Sequence, residues 1–163
     1  MEQPKISTLK ELKKTDYQPK PIQKELADNL RAKITKGENS FEGLIGYDNT
    51  VIPDFERAIL SGHNINLLGL RGQAKTRLAR KMTSLLDEWI PIVSGSEIND
   101  DPLKPISKFA KELISEEGEN TPISWIHREE RFFEKLSTPD VTVADLIGDV
   151  DPIKAATLKL TYA

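Results

Sequence analysis

An α/β fold, with parallel strands layered between helices and a helical segment ahead of them, is predicted for this chain by three observations. The aliphatic run Ile65-Asn66-Leu67-Leu68 enters a glycine-bearing loop, Gly69 to Thr76, and a helical pattern from Arg77 to Trp89 leaves it. Trp89-Ile90-Pro91-Ile92-Val93 then reads as a second strand. Amphipathic helical stretches stand on either side of these strands, at Val51 to Leu60 and after Pro105.

Residues 1–39 read as a basic helical segment ahead of the core. They hold nine Lys and Arg against six Asp and Glu, so this part is about +3 and the remainder of the chain about -6. Pro19 and Pro21 divide the segment, and a helix follows near Ile22 to Lys36. Ile22, Leu26, Leu30 and Ile34 recur every four residues on it. One narrow apolar stripe cannot form its own core, so this helix is expected to dock on a neighbouring surface or subunit. Its lysines are better explained as a solvated face than as a nucleic-acid contact.

Gly37-Glu38-Asn39-Ser40 punctuates the chain, and residues 40–163 are read as the main domain. The helix at Val51–Leu60 places Ile52, Phe55 and Ile59 on one face and tolerates Pro53 in its first turn. Ser61-Gly62-His63 ends it, and Asn64 to Leu68 is expected to be the first buried strand. After the loop, Leu78, Met82, Leu85, Leu86 and Trp89 share a helical face. Pro91 places the first residues of the second strand away from central pairing. Pro105 is expected to open a helix with Ile106, Phe109, Ala110, Leu113 and Ile114 inward. Thr121 to Ser137 mixes Trp125, Ile126, Phe132 and Phe133 with charges and gives no clear assignment. Val141 to Asp145 alternates like a strand or a pinned loop, Ile153 to Ala156 reads as a short helix, and Thr157 to Tyr162 alternates like one arm of a hairpin.

The loop carries the chemistry. Gly69-Leu70-Arg71-Gly72-Gln73-Ala74-Lys75-Thr76 has the spacing G-x-x-x-x-G-K-[ST], with Ala74 where the second glycine is expected. In that arrangement backbone N–H groups surround phosphate oxygens, Lys75 reaches the β- and γ-phosphates, and the Thr76 hydroxyl ligates magnesium. A methyl group at position 74 is the smallest intrusion possible, so the loop is expected to survive it. Hydrolysis also needs an acid delivered by a second strand. Asp145 is the one candidate, and its alternating surroundings suit a half-exposed segment.

Composition narrows the classes. A chain of 163 residues, 37% hydrophobic and 30% charged, is a globular protein large enough for one substantial core. A net charge of -3 argues against a general nucleic-acid surface. The absence of cysteine excludes disulfides and thiolate metal sites. No signal-peptide core and no run of about 20 apolar residues is present, so a cytoplasmic protein is expected. His63 and His127 read as surface groups.

Three segments in order carry a family resemblance: Phe41-Glu42-Gly43-Leu44-Ile45-Gly46 before a helix, the loop ending Ala74-Lys75-Thr76, and Ala144-Asp145-Leu146-Ile147-Gly148 with Asp149-Val150-Asp151-Pro152. Together they resemble the start of an AAA+ ATPase, in the branch of the magnesium-chelatase ATPase subunit and the MoxR proteins. Ala-Lys-Thr is common in MoxR-type loops, so Ala74 becomes a mark of that branch. From about Phe41 onward the resemblance implies part of a three-layer P-loop NTPase core. It implies that Gly69, Gly72, Lys75 and Thr76 hold the phosphates of ATP and Mg2+, with Leu44, Ile45 and Gly46 near the adenine. It further implies a hexameric ring that remodels a partner protein or drives metal insertion. Walker B acids, sensors and arginine finger would lie beyond Ala163, so the chain is expected to be the N-terminal part of a longer protein, and no catalytic residue is assigned within it. Two other readings stay open: a nucleotide-binding regulator or adaptor without efficient hydrolysis, and an interaction module built on the basic N-terminal helix.

Overall fold

The computed structural model describes residues 3–136, 138–149, 153 and 156. It divides into two compact units, Met1–Phe132 and Phe133–Ala163. The first is mostly helical: α1 (Leu9–Leu12), α2 (Ile22–Thr35), α3 (Val51–Leu60), α4 (Lys75–Lys81) and α5 (Lys108–Glu117), with short 3-10 turns after α4, after α5 and at Arg128–Arg131. Two strands, β1 (Trp89–Val93) and β2 (Ile123–His127), pair antiparallel, Trp89 opposite His127 and Val93 opposite Ile123. Among the described residues no helix is long and apolar enough to cross a membrane.

The expected parallel, three-layer sheet is therefore corrected. Asn64–Leu68 is extended but is not a strand, and its backbone makes no ladder with any described residue. Ile65 and Leu67 pack on a helical cluster built from Leu30, Phe41, Leu44, Ile52, Phe55, Ile59, Leu78 and Leu85. The alternate residues Asn66 and Leu68 are exposed. One-sided burial on helices satisfies these aliphatics without a strand laid alongside. The partner of β1 is instead the stretch the sequence left unassigned. Pro91 is tolerated because a two-stranded sheet consists of edges.

α3 forms where its pattern requires, burying Ile52, Phe55 and Ile59, with Phe55 edge-on to Phe41 at 5.2 Å between ring centres. α2 buries Leu30 fully and leaves Ile22 and Ile34 nearly half exposed at its ends. The helix after the loop is shorter than expected: α4 stops at Lys81, a 3-10 turn spans Met82–Leu85, and Trp89 belongs to β1. α5 starts at Lys108 and not at Pro105, because Ser107 caps it by accepting from the Ala110 N–H. Ile106 and Phe109 are consequently exposed while Ala110 is buried.

Residues of the basic segment enter both cores. α1 packs Leu9 and Leu12 on Ile123. Leu9 N donates to Thr121 O, Ile123 N to Ser7 O, and the Trp125 indole N–H to Ile6 O at 2.8 Å. In α2, Glu25 is 4% exposed and its carboxylate meets the Arg131 guanidinium in two bonds of 2.7 and 2.6 Å. The Asp87 N–H donates to the same carboxylate at 2.7 Å.

In the second unit, α6 (Ala144–Ile147) ends at Gly148, whose φ of 84° lies in the region that favours glycine. Val143, Leu146 and Ile147 are exposed there. Ile153 and Ala156 are helical, and the Thr157–Tyr162 hairpin arm lies outside the described residues.

Candidate nucleotide-binding loop

The loop is held between two helices. α3 closes with Gly62 at φ 68° and the His63 N–H donating to Ala58 O, which turns the chain into the extended run toward Gly69. Leu78, on the first turn of α4, is buried and donates its N–H to Ala74 O at 2.8 Å. Gly69, Leu70, Arg71, Gly72, Gln73 and Ala74 thus form a turn anchored at both ends that runs into Lys75 and Thr76, the first residues of α4, with Leu70 and Arg71 exposed.

Inside the turn, the Lys75 side chain folds back across the loop. Its ammonium donates to Gly69 O at 2.9 Å and to Leu70 O at 2.5 Å. The Leu70 N–H donates to the Gln73 carboxamide oxygen at 2.9 Å. A Cβ added to Gly69 would stand 2.3 Å from that oxygen, so a larger residue there would displace the Gln73 carboxamide from its present position. Thr76 is exposed, so its hydroxyl is accessible from solvent. Among the described residues no three His, Asp or Glu side chains gather to hold a metal.

Beside the loop is a cavity of about 70 Å³. Leu44, Tyr47, Val51, Leu67 and Leu78 form its apolar wall, and Gln73 and Lys75 reach its edge. Of the residues the family resemblance assigned to adenine, Leu44 lines this cavity, Ile45 is 91% exposed, and Gly46 forms a turn at φ 87°. Tyr47 was not singled out in the sequence. Its signal was the spacing Leu44, Tyr47, Val51, which continues the apolar face of α3 backward by three and four residues. Arg77 leans on the same turn, with its guanidinium 3.2 Å from where a Cβ on Gly43 would lie.

Asp145, the candidate acid, belongs to the second unit. It accepts from Thr142 N at 2.9 Å and Thr142 Oγ1 at 2.8 Å and pairs with Lys135 at 3.3 Å. Those hydrogen bonds, the Thr142 N–H foremost, hold its carboxyl below the usual range. This carboxylate is thus tied to Thr142 and Lys135. His127 is half-buried, lies edge-on to Trp89 and caps the 3-10 turn that follows.

Ala74 takes φ 53°, a left-handed conformation that costs a non-glycine residue about 1–2 kcal/mol. Ala74→Gly removes that strain and adds about 0.4–1 kcal/mol of unfolded-chain entropy. A net stabilisation of up to about 1 kcal/mol is expected in urea unfolding, whereas Ala74→Val is expected to destabilise.

No protein-family model matches the chain, and neither curated proteins nor solved structures give a significant match.

Proposed function

We propose that this chain binds ATP with Mg2+ through Gly69–Thr76. The observation that carries the reading is the Lys75 ammonium, drawn back over the loop onto two backbone carbonyls beside an apolar cavity. A cation parked on neutral carbonyls in an exposed loop exchanges them for phosphate oxygens, because a phosphate adds an opposite charge to the hydrogen bond. The cavity is far smaller than the roughly 300 Å³ of an ordinary ligand site. The base would therefore lie across its mouth, against Leu44 and Tyr47. Magnesium would be carried by phosphate oxygens and water, with Thr76 as its protein ligand, as suits an ion that keeps several waters.

The wider role follows the family resemblance of the loop and its flanking segments. By that resemblance the chain is the nucleotide-binding part of an ATPase that assembles as a ring and couples hydrolysis to remodelling of a partner protein or to metal insertion. A second reading, nucleotide binding without efficient turnover in a regulator or adaptor, is favoured by one observation: among the described residues no acidic side chain lines the cavity. Phosphate release from MgATP separates the two.

Calorimetric titration with a non-hydrolysable ATP analogue and Mg2+ tests the binding itself. Wild type is expected to bind, and Lys75→Ala to weaken binding at least tenfold, the worth of about one charge-assisted hydrogen bond. A folded wild type that binds no nucleotide overturns the proposal.

A further inference from the structure

Two side chains close on the loop, and they engage it with opposite polarity. Lys75 donates to carbonyl oxygens, which a phosphate does not use. Gln73 accepts from the Leu70 N–H, which is the kind of group a phosphate oxygen takes. The carboxamide oxygen sits so close over Gly69 that any side chain there would evict it. Gln73 is itself exposed and is anchored through this oxygen.

We infer that Gln73 is a built-in competitor for the phosphate seat: its carboxamide oxygen caps the Leu70 N–H and must swing out when a polyphosphate oxygen arrives. The inference rests on the nucleotide-binding reading and adds to it the residue that sets how tightly the loop holds its ligand. Leu70 N–H stays bonded before and after, so the loop never presents an unpaired donor. The exchange replaces a neutral acceptor by a charged one and is favourable, but the ligand must first displace the cap. Gly69 makes room for the carboxamide. The recognised group is the phosphate chain and not the base, since the capped donor belongs to the loop backbone.

The test titrates the full chain, as wild type and as Gln73→Ala, with inorganic tripolyphosphate and Mg2+, and separately with the non-hydrolysable ATP analogue and Mg2+. Removing the cap frees about one net hydrogen bond, so Gln73→Ala is expected to bind both ligands about threefold to tenfold more tightly. In wild type, the NMR signals of the Gln73 side-chain amide are expected to shift on adding tripolyphosphate as the group is released. Equal or weaker binding by Gln73→Ala beside a binding wild type overturns the role given to Gln73, shows that its contact preorganises the loop or is idle, and leaves the nucleotide reading intact. Absence of binding by both folded proteins removes the nucleotide reading and this inference together.

Discussion

Glu25→Ala is expected to cost the Met1–Phe132 unit about 3–5 kcal/mol, enough to lower its melting temperature by about 10–20 °C. The carboxylate is 4% exposed and Arg131 13% exposed, and their two bonds tie α2 to the 3-10 turn after β2. A third bond, from the Asp87 N–H, ties in the turn between α4 and β1. Neighbouring Asn29 reinforces that turn by donating to Leu85 O and to Asp87. Truncation leaves a guanidinium buried without its counter-charge and a backbone N–H without an acceptor. The penalty is therefore chiefly desolvation, and it is far larger than loss of a surface pair would bring. The double substitution Glu25→Met with Arg131→Met is expected to recover most of the loss, since no charge is then stranded. Thermal unfolding of the two variants beside wild type reads both outcomes. A Glu25→Ala protein within about 1 kcal/mol of wild type would show that the pair is not sequestered from water.

The second large effect is expected at Asp100, which is 4% exposed. Burial pushes its carboxyl upward, but bonds from Ser107 Oγ and N, Ser96 Oγ and the Ile106 N–H outweigh that and hold it well below the usual carboxylate range. Because the folded value lies below the unfolded one of about 3.9, ionised Asp100 stabilises the fold fully above about pH 4. That contribution is lost as pH falls through the depressed folded value. Asp100→Asn is expected to cost about 2–4 kcal/mol at pH 7, since it swaps a charged acceptor for an amide whose NH2 faces donors. The gap between the two proteins in urea unfolding should narrow steadily below about pH 4. A gap that is independent of pH would mean that the carboxylate charge contributes nothing.

Local features of this chain were legible in its sequence and non-local ones were not. Helix α3 could be read from Ile52, Phe55 and Ile59, and β1 from its compact aliphatic run, because burial on one face leaves a period. The turn into α4 could be read because Gly69 and Gly72 stand between an aliphatic run and a helical pattern. The choice of partner for β1 leaves no such mark. β2 hides Ile123 and Ile126 among Trp125, His127 and charges, and nothing in either strand encodes antiparallel pairing. Asn64–Leu68 carries the composition of a buried strand, yet helices α3 and α4 supply its burial without a sheet. Glu25 and Asp100 were invisible because a lone carboxylate is exposed by default, and the partner of Glu25 is 106 residues distant. Gln73 was counted as a loop residue, but its role as a cap depends on where its side chain turns.

The docking of α1 on β2 has a consequence for how the chain folds as it is made. Ile6 and Trp125 are 119 residues apart in sequence, so their hydrogen bond closes one of the longest loops the unit permits. At a synthesis rate of about 5–20 residues per second, the N-terminal residues wait roughly 6–24 s for Trp125 to be added. Through most of that interval Leu9 and Leu12 lack the Leu103, Ile114 and Ile123 side chains of their own cluster, while the cluster around Phe41 and Phe55 has its α2, α3 and α4 residues in hand. Joining the two ends of the unit therefore waits on the last part of its synthesis, whereas the helical cluster does not.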